Sequence, residues 1–133
     1  MDLIISVLIS WLLSTKGIDV YEPPTVLFKS EIELIQMYNR PVFAIYSAER
    51  RTIYLHESVD ITTEWGKSVL VHELIHHYQE LHNLMESYAC FRQSERLAYN
   101  IQKDYLLSKG VELRPQLGSF NIMARSMCSQ MEG

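Results

Sequence analysis

The sequence predicts an α+β fold. A small antiparallel or mixed sheet packs on a central helix, and a second helix lies across that one. Three observations carry this expectation. Runs with strand character, residues 26–28, 42–46 and 51–55, all lie before residue 56, and runs of helical period follow it. The stretch Val71-His72-Glu73-Leu74-Ile75-His76-His77-Tyr78-Gln79 holds two histidines four apart, on one face of a helix. Further on, Glu95 stands in the middle of an otherwise apolar helical stripe.

The bulk properties narrow the function classes. With 133 residues the chain makes one domain, 1–133, large enough for a core and too small for two. Composition is that of a globular protein, 47% hydrophobic and 21% charged. A net charge of −4 with no basic stripe does not suit nucleic acid as a partner. Cys90 and Cys128 stand alone rather than in Cys-x-x-Cys pairs, which excludes a zinc finger. They can form one disulfide or remain buried thiols, and the sequence leaves both open.

Taken in order, residues 3–14 are apolar except for Ser6, Ser10 and Ser14, which with Asp2 recur every four residues. That recurrence draws one polar stripe along a helix docked on the domain, with Gly17 as its stop. No Lys or Arg precedes the apolar run and no small-residue cleavage site follows. The pattern therefore favours a docked helix over a signal peptide, and with it the cytoplasm over export. The run is too short for a membrane span.

Pro23-Pro24 precedes the first strand. Ser30 followed by Glu33 predicts a capping box opening a helix to about Tyr38, and Asn39-Arg40-Pro41 ends it. Residues 42–46 and 51–55 read as a hairpin across Ser47-Ala48-Glu49-Arg50. The second of these runs is the candidate edge strand, able to add an extended peptide through backbone hydrogen bonds. Asp60, Thr62 or Thr63 caps the helix that carries His72 and His76. The Glu95 helix runs to about Ser108 and stops at Gly110, and residues 119–130 form a last helix.

His72 and His76 are the candidate metal ligands. Leu70, Val71, Leu74, Tyr78 and Leu81 lie opposite them while Trp65 and Val69 extend their side, so the helix is apolar all round and central. Imidazoles aimed into such an interior need partners, and a metal ion serves both. Glu73, about 100° around the helix, falls beside the metal's open position, where a carboxylate takes a proton from metal-bound water. His77 faces away from His76, and neither His56 nor His82 has an assigned role.

A catalytic zinc site takes a third protein ligand. Glu95 is the candidate, because an unpaired carboxylate within the stripe of Tyr88, Phe91, Ala98, Tyr99, Gln102 and Leu106 is costly. Ala98 permits a close approach of the two helices. Tyr88 and Tyr99 are candidates for supporting a ligand or donating to an oxyanion.

His72-Glu73-x-x-His76 followed by Glu95-x-x-Ala98 resembles the gluzincin pattern of zinc metallopeptidases. It is most similar to the minigluzincins and to small bacterial domains with a His-Glu-Leu-x-His-His…Glu-x-x-Ala-Tyr-x-x-Gln signature, over Trp11 to Gln102. The resemblance implies a zincin-like fold and Zn2+ bound by His72, His76 and Glu95. It also implies Glu73 as catalytic acid and base, and a peptide or protein as substrate. Tyr99 stands where many gluzincins place an aspartate. Two other readings compete. A di-metal helical bundle requires a second Glu-x-x-His, and Ala98 occupies that position. A non-hydrolytic zincin-fold binding or regulatory domain is opposed by the intact Glu73.

Overall fold

Gly17 ends the first helix as a left-handed cap. Its φ is 65°, and the N–H groups of Gly17 and Ile18 close back on Leu13 and Leu12. That helix, α1 (Asp2–Lys16), belongs to a computed structural model that describes residues 1–128. Ile5, Leu8 and Leu12 point into the core, and Asp2, Ser6, Ser10 and Ser14 face outward as the four-residue recurrence requires. Trp11 meets Tyr105 edge to face at 5.2 Å and Lys16 pairs with Asp104 at 2.8 Å, so the helix docks on its C-terminal half.

The sheet follows. β1 (Thr25–Lys29) leads into α2 (Glu31–Tyr38), whose N-terminus carries the expected capping box between Ser30 and Glu33. β2 (Ala44–Ser47) and β3 (Thr52–His56) form the expected hairpin, pairing Ser47 with Thr52 through Ala44 with Leu55. β1 then pairs with β3 in parallel, so the strand order is β1–β3–β2.

This order corrects the expectation for the edge. β3 is the central strand and β2 is an outer one. The cause lies in α2: it returns the chain so that β1 closes the side of β3 that the hairpin leaves open. With strands on both sides, Ile53 and Leu55 in the core shared with α3, and Tyr38 of α2 edge-on to Tyr54, β3 buries Thr52, Ile53, Tyr54 and Leu55 without alternation.

α3 (Glu64–Leu81) is the central helix, with thirteen of its eighteen residues buried. Thr63 caps it by accepting from the Gly66 N–H at 3.0 Å. Gly66 is required there, because a Cβ would stand 1.8 Å from the Asp60 carbonyl oxygen. Leu70, Val71, Leu74 and Ile75 join Ile53, Leu55 and the α1 residues in one core.

α4 (Phe91–Ser108) crosses α3, with Ala98 fully buried at the approach. A 3-10 turn, Pro115–Leu117, leads to α5 (Ser119–Ser126). This last helix is shorter than expected: Met127 is extended, and residues 129 and 130 lie outside the described residues. Cys90 and Cys128 form a disulfide across 38 residues, fastening the end of α5 to the start of α4. The described residues thus form an α+β fold of five α-helices and a three-stranded mixed sheet. Among them no helix is long and apolar enough to cross a membrane.

Candidate metal centre

One helical turn separates His72 from His76, so α3 projects both imidazoles the same way, with ring centroids 5.1 Å apart. α4 brings Glu95 over them. Its Oε1 lies 3.1 Å from His72 Nε2 and 2.5 Å from His76 Nε2. Glu73 joins from the next position on α3. The ligand atoms of His72, Glu73 and His76 all lie within 4.8 Å of one another, and this buried group could hold a metal ion. The four residues line one cleft of about 570 Å³ between β2, α3 and α4.

Two buried amides decide which imidazole nitrogens are available. The Gln79 amide nitrogen donates to the Ser94 carbonyl at 3.0 Å and to the Tyr88 hydroxyl at 3.2 Å. A carbonyl only accepts, so Gln79 must turn its oxygen toward His76 Nδ1, 3.0 Å away. Nδ1 therefore carries the proton. The same logic runs through Gln102. Ser68 donates its hydroxyl to the Trp65 carbonyl at 2.6 Å and accepts from the Gln102 amide nitrogen at 3.2 Å. Gln102 Oε1 is left to accept from His72 Nδ1 at 2.9 Å. Both chains end on backbone carbonyls, and both put the Nε2 lone pairs on the side of Glu95.

Those two lone pairs and a carboxylate oxygen cannot share so small a space without a cation among them. A proton serves in the metal-free chain. Burial alone would lower the His76 imidazole, but its hydrogen bond to Glu95 and the charges of Glu73 and Glu95 outweigh it and raise it above 6.5. Burial likewise pushes the Glu95 carboxyl up, yet hydrogen bonds and charge from His72 and His76 hold it well below the usual carboxylate range. Glu73 goes the other way. Desolvation raises its carboxyl above 4.5 despite the two histidines, and the charge of Glu95 adds to the rise. Among the described residues, Glu73 Oε2 is the buried side-chain polar atom that no hydrogen bond satisfies. An orphaned carboxylate oxygen of this kind marks a place where a ligand belongs.

Of the residues singled out in the sequence, His72, Glu73, His76 and Glu95 meet in this centre. Tyr99 borders it: its ring stands edge-on to His72 at 4.4 Å and its hydroxyl accepts from Arg125 at 3.2 Å. Tyr88 precedes α4 and reaches His76 only through Gln79. His77 does face away, accepting from the Tyr46 hydroxyl at 2.7 Å and donating to the Glu22 carbonyl at 2.6 Å. Gln79 and Gln102 belong to the centre as well, without standing out in the sequence as site residues. Their spacing held the signal: Gln79 is three residues after His76, and Gln102 is two turns after Glu95 on the same face.

Residues 3–132 match the family described as Domain of unknown function (DUF6647). No curated protein and no solved structure matches the chain.

Proposed function

We propose that this chain, which belongs to the DUF6647 family, is a zinc-dependent peptidase of zincin-like build. The observation that carries the reading is the pair of amides: they leave both Nε2 atoms as acceptors converging on one Glu95 oxygen, beside the orphaned Glu73 Oε2. Two imidazole nitrogens and a carboxylate are a zinc donor set. Ligand atoms around tetrahedral zinc stand about 3.3–3.6 Å apart for bonds of about 2.0–2.2 Å. The His72–Glu95 contact of 3.1 Å is close to that spacing. The shorter His76 contact has the length of a shared proton, which a metal would displace. The residues fit the ion.

Each residue of the chain then has a definite task. His72, His76 and Glu95 would hold the zinc, with Gln102 and Gln79 fixing the imidazole tautomers. The ion, when bound, supplies Lewis acidity that brings a water's pKa near 7 and polarises the scissile carbonyl. Glu73 Oε2 accepts a proton from the attacking water and returns it to the leaving amine. β2 is the strand beside the cleft with an open edge, and an extended peptide would pair there. The resemblance to gluzincins supports the same assignment of roles.

The test is hydrolysis of an unstructured protein by zinc-loaded material, beside a Glu73→Gln variant. Turnover that disappears with Glu73→Gln while the zinc remains is expected. Turnover that survives Glu73→Gln would remove the proton-carrier role.

A further inference from the structure

We propose that Arg125 makes the cleft select peptides that present a carboxylate next to His72, whether a free C-terminus or an acidic side chain. The proposal rests on the peptidase reading for what enters the cleft, and on separate geometry for what is chosen there.

Arg125 lies on α5 and lines the same cleft as His72, Glu73 and His76. Its position follows from Tyr99. The Tyr99 ring packs against His72, and the guanidinium carbon stands 5.3 Å from the centre of that ring. Nη1 donates to the Tyr99 hydroxyl at 3.2 Å. A cation is thereby held one aromatic ring away from the metal ligands. The bond to Tyr99 engages one of five guanidinium N–H donors. Among the described residues no carboxylate forms an ion pair with Arg125, although Glu73 and Glu95 border the same cleft.

The arginine is also anchored from behind. Its own carbonyl accepts from Arg92 Nε at 3.1 Å, and three residues later the Cys90–Cys128 disulfide ties the chain to the start of α4. Arg125 and Glu95 are thus mounted on one fastened pair of helices. A planar fork with unused donors on a fixed backbone matches a carboxylate in shape and charge. Phe43, Trp65, Val69 and Leu117 supply apolar wall in the same cleft. The preferred ligand therefore joins an apolar side chain to a nearby carboxylate. Arg40 also lines the cleft but stands in the segment leading to β2, away from the α4–α5 side.

The experiment uses zinc-loaded Glu73→Gln protein, so that binding is read without turnover. Four labelled hexapeptides share one apolar sequence: a free C-terminal acid, its amide, an amide with one Asp, and an amide with Asn at that position. At least one carboxylate peptide is expected to bind about 10–100-fold more tightly than its neutral counterpart, as for a charge-assisted hydrogen bond. Whichever it is identifies the source of the carboxylate. With Arg125→Ala added, the ratio is expected to fall to about 1 while zinc content is retained, separating Arg125 from attraction by the ion itself. If Arg125→Ala does not fold, Arg125→Gln gives the same readout and keeps a donor for Tyr99. Equal binding of all four peptides, or a preference that survives loss of the guanidinium, would overturn the proposal. Failure of the Glu73-intact protein to cleave any of them would count against the peptidase reading alone, since the binding ratio decides Arg125 independently.

Discussion

Gln102 Oε1 stands 2.9 Å from His72 Nδ1, and the two residues come from different helices. The contact settles the tautomer of His72 because Ser68 and the Trp65 carbonyl fix the orientation of the amide. Gln79 does the same for His76 within α3.

Replacing either amide with leucine keeps the volume and removes the acceptor. Gln102→Leu and Gln79→Leu are each expected to weaken zinc binding by about 10–100-fold, the usual loss when a partner behind a ligand is removed. Competition with a chelator at fixed pH measures it. Tyr99→Phe keeps the ring against His72, whose two nitrogens are already engaged, and leaves zinc affinity unchanged.

The three titrations of the centre set opposite pH trends with and without metal. His76 is raised above 6.5, so its pairing with Glu95 stabilises the metal-free fold below that pH and is lost as pH rises through the raised value. Glu73, raised above 4.5 by burial, adds to the same loss on the alkaline side. Glu95 is depressed, so its share is present above 4.5 and lost only in acid. The melting temperature of metal-free protein should therefore decline as pH rises above about 6.5, the ordinary value from which the His76 imidazole is raised. The increment added by zinc should grow over the same range, because ligation displaces the imidazole proton. Thermal scans across pH with and without zinc check both slopes.

Reducing the Cys90–Cys128 disulfide releases a 38-residue loop that includes all of α4 and α5. The expected loss is about 2–4 kcal/mol, or on the order of 10 °C in melting temperature for a domain of this size. Scans of metal-free protein with and without a reductant measure it.

Gly66→Ala tests the start of the metal helix. The new methyl would meet the Asp60 backbone oxygen rather than a yielding side chain. A destabilisation of about 2 kcal/mol or more is expected from the forced backbone shift, read from denaturant unfolding.

Much of this molecule is written in local signals. The αL stop at Gly17, the capping box at Ser30 and Glu33, and the shared face of His72 and His76 each depend on residues within one or two turns. Glu95 was legible for a different reason: a carboxylate in an apolar stripe advertises a buried cation. The place of β3 in the sheet was not legible, because strand order depends on where α2 returns the chain and no residue of β3 records that. The amide partners were hidden in a related way. Gln79 and Gln102 look like ordinary polar residues until α4 is laid across α3. Arg125 reaches the cleft only because α5 folds back, and its register with Tyr99 spans 26 residues.

The central claim is that His72, His76 and Glu95 bind one metal ion while Glu73 stands beside it unbound. Zinc titration of metal-free wild type, Glu95→Ala and Glu73→Gln, followed by calorimetry, tests it most directly. One equivalent should bind to wild type and to Glu73→Gln with similar affinity, and Glu95→Ala should bind far more weakly. If Glu73→Gln loses the metal as readily as Glu95→Ala does, the division of roles between the two carboxylates is wrong.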